Sequence, residues 1–262
     1  MKKYIALILA VLMMATCFAG CGGSNTSDLK AIQDAGKIVV GITEYAPMDY
    51  KDENGNWTGF DAEFATLFAE ELGVEIEFYV ITDWGKKFIE LKDKNIDAVW
   101  NGMTITEEAT LNASVSNPYV LNKQVLVMKS DMIADYATAD SIKDLKIAVE
   151  NGSAGQSAAE DAGVKEIVPV QDQAAALLEV KAGTSDACII DSTMAQAMTG
   201  EGTNYADLAA GLILKDEEYG VAFRKNSDLT AKFNDFMAKL RADGTLQALA
   251  DKYKLVLVDA KI

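Results

Sequence analysis

Histidine is absent from this 262-residue chain. That removes histidine-based catalytic triads and most zinc sites, which depend on imidazole. Cysteine is scarce. Cys17 and Cys21 stand near the start, and beyond them only Cys188 remains, in the apolar run 187–190. A buried unpaired thiol is the expectation there. No disulfide can form within the body unless Cys21 takes part. The body holds three prolines, Pro47, Pro118 and Pro169, and so has no Pro-rich linker. Arginine is limited to Arg224 and Arg241. Basic residues as a whole are outnumbered, 24 against 40 acidic ones, for a net charge of −16. Such a surface repels nucleic acid and anionic headgroups, which excludes nucleic acid as a partner but does not define a ligand. The chain is long enough for one large core or two modest ones.

The apolar run over residues 5–15 falls short of the ~20 residues a membrane-spanning helix needs. Lys2 and Lys3 precede it, and Ala19, Gly20 and Cys21 follow it. Basic start, short apolar stretch and small residues make up a secretory signal, read as residues 1–20, with an uncleaved anchor as its rival. Phe18-Ala19-Gly20-Cys21 resembles a lipoprotein processing box. The resemblance implies that Cys21 is lipidated and becomes the first residue, holding the protein on a membrane surface without spanning it. Cys17, after Thr16, fits less well. Residues 22–27, Gly-Gly-Ser-Asn-Thr-Ser, read as a flexible tether. Loss of Lys2 and Lys3 with the leader takes the net charge to −18.

Beyond the tether, strand and helix patterns alternate. Residues 37–42, 75–81 and 96–100 predict strands. Phe60, Phe64, Leu67, Phe68 and Leu72 share one helical face over 59–72, closed by Gly73, and 84–92 predicts another helix. The scheme then repeats, with strands at 147–149, 167–170 and 187–190 and helices at 152–162 and 172–182. Residues 91–100 (LKDKNIDAVW) echo 180–189 (VKAGTSDACI) as helix end, turn, Asp-Ala and strand. A strand at 220–223 and helices at 229–241 and 246–253 complete the chain. Alternation of this kind predicts an α/β protein with parallel pairing, here in two similar lobes joined by crossing strands.

Ten stretches, in order between about residues 38 and 253, resemble the bacterial extracellular solute-binding proteins of polar amino acid importers. They include Val39-Val40-Gly41, Trp57-Thr58-Gly59-Phe60-Asp61, Asn95-Ile96-Asp97-Ala98, Asn101-Gly102-Met103-Thr104, Ser116-Asn117-Pro118-Tyr119, Glu150-Asn151-Gly152-Ser153 and Tyr219-Gly220-Val221-Ala222-Phe223-Arg224. The resemblance implies a periodic alternation of α and β in a two-lobed periplasmic-binding-protein (Venus flytrap) fold with two crossing hinge strands. Lobe one would hold residues 28–119 and 218–262, and lobe two residues 120–217. The ligand would sit in the cleft and favour closure. A membrane permease and its ATPase would be the partners of a monomeric subunit of an ABC importer, lipid-anchored on the extracytoplasmic face of the cell membrane.

Carried over residue by residue, the resemblance places Trp84 as an aromatic wall over the ligand and Tyr45 as a second wall. Each could instead be a core aromatic. Gly102, Met103 and Thr104 follow a strand end, where ligands of α/β proteins bind. Gly102 could equally mark a tight turn. Ser153 and Ala154 open a helix whose free N–H groups suit a carboxylate, or form an ordinary cap. Asp191 would grip the ligand's ammonium, with a plain helix cap as the alternative. Glu150 is a further candidate acid.

One departure bears on the ligand. Where the family pattern has Thr-Glu-Glu-Arg, this chain has Thr106-Glu107-Glu108-Ala109. Arg224 and Arg241 match positions outside the cleft, so no arginine remains to fork a carboxylate. Three explanations stand. The ligand lacks an α-carboxylate, or Lys86, Lys87 or Lys123 replaces the arginine, or Ser153 and its helix N-terminus suffice. With Glu150 and Asp191 retained, an amine-bearing or cationic ligand is expected. No cofactor is expected. A dehydratase-like enzyme is a rival on the same fold, but no nucleophile–base pair stands at a diagnostic spacing. A tethered sensor for a membrane receptor is the other rival.

Overall fold

The computed structural model describes residues 27–259. The leader, Cys21 and the tether up to residue 26 lie outside the described residues. Ser27, expected to end the tether, is instead part of the fold. Its side chain accepts from the Lys30 N–H as the cap of α1 (Asp28–Ala35) and donates to Asp228. Only Ile32 of α1 is buried, which explains why its pattern carried no helical signal.

Strand β1 (Lys37–Ile42) runs through the first sheet. A hairpin of β2 (Tyr50–Lys51) and β3 (Trp57–Thr58) leads into α2 (Phe60–Leu72). Phe60, Phe64, Phe68 and Leu72 recur every four residues and are all buried, so the helix presents one apolar face. Gly73, with φ of 72°, ends it in the left-handed conformation that glycine adopts without strain. Next come β4 (Glu75–Val80), a tight 3₁₀ turn at Trp84–Lys86 running into α3 (Lys87–Lys92), β5 (Ala98–Val99), α4 (Glu107–Asn112) and β6 (Ser114–Val115).

The chain then crosses on β7 (Val120–Lys129) into a second sheet. That lobe contains β8 (Lys146–Glu150), α5 (Ala154–Asp161), β9 (Glu166–Val170), α6 (Gln173–Ala182), β10 (Ala187–Asp191), α7 (Ser192–Met198) and β11 (Leu208–Tyr219). It returns through β12 (Ala222–Phe223), α8 (Leu229–Ala242) and α9 (Thr245–Tyr253). Rings of α8 close the first lobe: Phe233 meets Trp100 at 4.9 Å and Phe68 at 5.3 Å, both edge-on. Each such ring removes apolar surface worth roughly 1.5–3 kcal/mol from water.

The sheets have the orders β4-β1-β5-β12-β6 and β11-β7-β10-β8-β9. The echoed segments end in β5 and β10, each the third strand of its sheet. The repeat seen in the sequence is therefore the same central αβ turn used twice. Parallel pairing holds where alternation predicts it, for β1 with β4 and β5 and for β8 with β9 and β10. Antiparallel pairing occurs at β7, β11, β12 and β6, and in the β2–β3 hairpin. The crossing strands β7 and β11 pair from Val120↔Tyr219 to Lys123↔Asp216 between the lobes, and the fold is a two-lobed Venus flytrap. The segment after α9 locks onto this crossing, with Leu121 N–H donating to Val256 and Val258 N–H donating to Tyr119. No helix among the described residues is long and apolar enough to cross a membrane.

Candidate ligand-binding site

Both lobes line one cavity of about 230 Å³. Lobe one contributes Trp84, Lys87 and the segment Asn101, Gly102, Met103 and Thr104 that follows β5. Lobe two contributes Gln124, Glu150, Ser153, Ala154, Gln173 and Asp191. Seven of the eight residues named from the sequence thus meet at one place: Trp84, Gly102, Met103, Thr104, Ser153, Ala154 and Asp191.

Tyr45 does not line this cavity and is not the second wall expected of it. Its side chain is buried and its hydroxyl is held by Thr193 of α7 and, at 2.6 Å, by Tyr219 at the end of β11. Tyr45 therefore ties lobe one to lobe two. The sequence could not separate these roles, because an aromatic next to a strand end suits a ligand or a facing lobe equally well.

The segment 101–104 is fixed from below. Gly102, at φ +55°, donates its N–H to Asp61 at 2.6 Å. A Cβ there would come within 2.7 Å of the Tyr45 ring, so the geometry of Gly102 is that of a tight turn, at a position that also lines the cavity. Met103 O accepts from Gly220 N–H, and Thr104 bridges to Tyr219. The strand end that faces the cavity is thus attached to the crossing strand.

Asp191 ends β10 and precedes α7, yet its side chain caps no helix N–H. Its carboxylate instead accepts from Asn122 at 2.8 Å, from Gln124, and from Gln173 at 2.5 Å. The amides of Asn122 and Gln124 also bond Glu217, at 2.6 and 2.8 Å. Burial first, then the Asp191 charge, pushes the Glu217 carboxyl up to about 8. Glu150 is buried with Oε1 lacking any hydrogen-bond partner among the described residues. Burial, with Asp191 and Asp172 adding to it, raises its carboxyl well above the usual range, and Lys87 pulls the other way. Asn122, Gln124 and Gln173 carried no motif signal; the register of β7 against β10 and the start of α6 are needed to bring them to Asp191.

Ser153 caps α5 by accepting from the Gln156 N–H at 3.1 Å, and it also lines the cavity. Lys87 lies opposite, buried between the rings of Trp84 and Phe88, with its ammonium 5.1 and 4.9 Å from their centres. The Lys87 ammonium donates to Trp84 O at 3.3 Å and across the cleft to Gly152 O at 3.1 Å. The lobes touch here: Asn151 donates to Asp83 at 2.9 Å, and a Cβ on Gly152 would come within 2.5 Å of Gly85 Cα. Lys86 is exposed and paired with Asp83, and Lys123 is exposed and paired with Asp216; neither lines the cavity. Arg224 binds Asp28, Asp97 and Ile96 O, and Arg241 binds the carbonyls of Val258 and Pro118, so both serve packing. Ala109 is buried in the apolar cluster that holds Trp84 and Met103. No group of three metal-ligating side chains occurs among the described residues.

Two lobes joined by paired crossing strands, with polar side chains from each converging on a small cavity between them, define a solute-binding protein. Comparison with known proteins agrees. Residues 38–256 match the model of the bacterial extracellular solute-binding proteins, family 3, and the chain belongs to that family. It is 30% identical to the L-cystine-binding protein TcyJ of Escherichia coli K12 over 92% of each chain. It is 31% identical to the arginine-binding extracellular protein ArtP of Bacillus subtilis over 97% of this chain and 98% of that one. Among solved structures, the ancestral amino acid-binding protein AncCDT-1, a precursor of cyclohexadienyl dehydratase, superposes with a TM-score of 0.79. It is 31% identical and covers 87% of this chain and 99% of that one.

Proposed function

We propose that this protein is the lipid-anchored, extracytoplasmic substrate-binding subunit of an ABC importer, which captures a polar amino acid or a related amine by lobe closure and hands it to a membrane permease and its ATPase. Cys21 would carry the lipid. Lobe one would comprise residues 28–119 and 218–262, lobe two residues 120–217, and the protein would act as a monomer.

The observation that carries this reading is the cavity's composition. Glu150 and Asp191 bring buried carboxyls to a space of about 230 Å³, below the ~300–1,000 Å³ of pockets for drug-sized ligands. A small molecule bearing an ammonium group meets both requirements, since a charge-assisted hydrogen bond compensates a buried carboxylate. Because Trp84, Lys87 and residues 102–104 come from one lobe and Ser153, Glu150 and Asp191 from the other, ligand contacts favour the closed form.

Melting temperatures of the purified protein against amino acids paired with their decarboxylated amines test this. A ligand at one hundred times its dissociation constant stabilises by about 2.7 kcal/mol. No shift with any member of the panel would sink the reading. One observation favours a dehydratase-like enzyme as a second reading: a raised carboxyl, Glu150, faces the cavity as a general acid would. Conversion of a bound ligand into product, followed by mass spectrometry, would establish it. A sensor would bind the same ligand but dock to a receptor, so cross-linking to the permease separates it from an importer subunit.

A further inference from the structure

The acid at the end of β10 is tied to the hinge. Asp191 lines the cavity from lobe two, while Glu217 stands on the crossing strand β11, opposite Asn122 of the crossing strand β7. Both carboxyls are buried, at 3% and 9% exposure. Two amide nitrogens bridge them. Asn122 Nδ2 donates to Asp191 Oδ1 at 2.8 Å and to Glu217 Oε1 at 2.6 Å, and Gln124 Nε2 donates to the same two oxygens. The Asn122 amide is fixed in turn, because its Oδ1 accepts from Ser192 Oγ at 2.9 Å and from Thr193 N–H at 3.2 Å. The two carboxyls also lie within hydrogen-bonding reach of each other. No cation stands between them. The other titratable groups around the pair, Glu150 on β8, Tyr45 of lobe one and Tyr219 on β11, bring no positive charge. Lys87 faces Glu108, Glu150 and Asp83. On the adjoining elements Lys123, Lys215 and Lys254 are exposed, Lys123 is paired with Asp216, and none of the three donates to Asp191 or Glu217 among the described residues. Two carboxyls held this close without a cation do not both ionise; one keeps its proton. Their partners decide which. Asp191 has donors on both oxygens, Asn122 and Gln124 on Oδ1 and Gln173 on Oδ2, whereas Glu217 Oε2 has no partner among the described residues. The charge therefore rests on Asp191 and the proton on Glu217, whose carboxyl, pushed up to about 8, holds it at neutral pH.

We infer that Glu217 is a positioning residue for ligand capture: it shares one proton with Asp191, so that the pair presents a single negative charge to the cavity and anchors that charge to both crossing strands. Glu217 does not line the cavity, so it acts on a ligand only through Asp191. The role in capture rests on the binding reading above, whereas the proton sharing stands on the two carboxyls and their amides alone.

Carboxyl ¹³C NMR of protein labelled at glutamate Cδ tests the pairing without any ligand, with the Glu217 signal assigned by its loss in Glu217→Gln. The expected wild-type midpoint for Glu217 lies near 8. In Asp191→Asn, which removes the neighbouring charge, it falls by about one pH unit or more. A wild-type midpoint in the ordinary carboxylate range overturns the inference, whether or not Asp191→Asn folds. A raised midpoint that does not move in Asp191→Asn belongs to burial alone and overturns it too. Isothermal titration with L-arginine, L-histidine, L-glutamine and agmatine then reads the effect on capture. Glu217→Leu, which removes the shared proton and its bonds, weakens binding by roughly tenfold or more, and Glu217→Gln, which keeps an uncharged polar partner for Asp191, recovers most of that loss. Equal loss in both variants, or no loss in Glu217→Leu, takes Glu217 out of capture and overturns the inference. A wild-type protein that binds none of the four overturns the capture role together with the binding reading, while the carboxyl titration still decides the pairing.

Discussion

Two sets of buried carboxyls, one in each lobe, differ in what they face. In lobe one, Asp61 accepts from Gly102 N–H and from the Tyr119 hydroxyl at 2.8 Å, while Asp49 beside it has no partner on either oxygen among the described residues. Burial pushes Asp61 up to about 7, and burial together with the Asp61 charge raises Asp49 well above the carboxylate range. In lobe two, Glu150, Asp191 and Glu217 are also buried, and burial raises the Glu150 and Glu217 carboxyls. Glu150 and Asp191 line the cavity, whereas Asp49 and Asp61 do not. A displaced titration alone does not identify a ligand site. What separates Glu150 and Asp191 from Glu217, Asp49 and Asp61 is a surface that a ligand can reach.

Substitutions can break this comparison. The largest effect is expected from Asp191→Ala, which removes a charged partner from the cavity and should raise the ligand's dissociation constant by roughly thirtyfold or more, a loss of ~2–5 kcal/mol by calorimetry. Unchanged affinity would show that the lobe-two acids are structural like those of lobe one. Glu150→Gln comes next, at about 1.5–3 kcal/mol for a charge-assisted bond. With wild-type protein, affinity for an ammonium ligand should rise as pH rises through the elevated Glu150 value, because only the ionised carboxylate attracts the ammonium. Glu150→Gln should flatten that rise, as titrations at a series of pH values above the ordinary carboxylate range will tell.

In lobe one the effect is on stability. A carboxyl whose folded value lies above its unfolded value of about 4 binds more protons when folded. Its contribution is complete below about pH 4 and is lost as pH rises toward about 7, the value for Asp61. Asp49→Asn removes a second raised titration beside Asp61 and should make the folded state lose less stability as pH rises above the carboxylate range, read by denaturant unfolding at several pH values, with ligand affinity untouched. A changed affinity would erase the distinction between the two sets. Lys86→Ala breaks only an exposed pair with Asp83 and should alter both stability and affinity by less than ~0.5 kcal/mol. A large loss of binding would return Lys86 to the site.

The strongest periodic segments were read correctly from sequence. The four-residue recurrence of Phe60, Phe64, Phe68 and Leu72 is α2, and the strand expected at 37–42 is β1. The short elements were missed, because a two-residue hairpin such as β2–β3 has no period. Strand β5 is two residues long where five were expected, although residues 96 and 100 are buried and look like strand. On the site side, the family resemblance supplied Trp84, Gly102 to Thr104, Ser153, Ala154 and Asp191. It also supplied Tyr45 as a wall, which the structure instead gives to Thr193 and Tyr219.

What the sequence determined by itself was the alternation of strand and helix, the repeated αβ turn that becomes the centre of each sheet, and the absence of any free arginine. These are properties of neighbouring residues and of composition, legible without coordinates. Only the tertiary structure decided which lysine is buried, that Asn122, Gln124 and Gln173 converge on Asp191, and that Asp49 is closed off while Glu150 is not. Those facts depend on pairings across long spans, such as Asp191 opposite Gln124 on β7, and on the approach of two lobes. No local pattern encodes them, because the same charged residue is solvated or buried according to what the rest of the chain places against it.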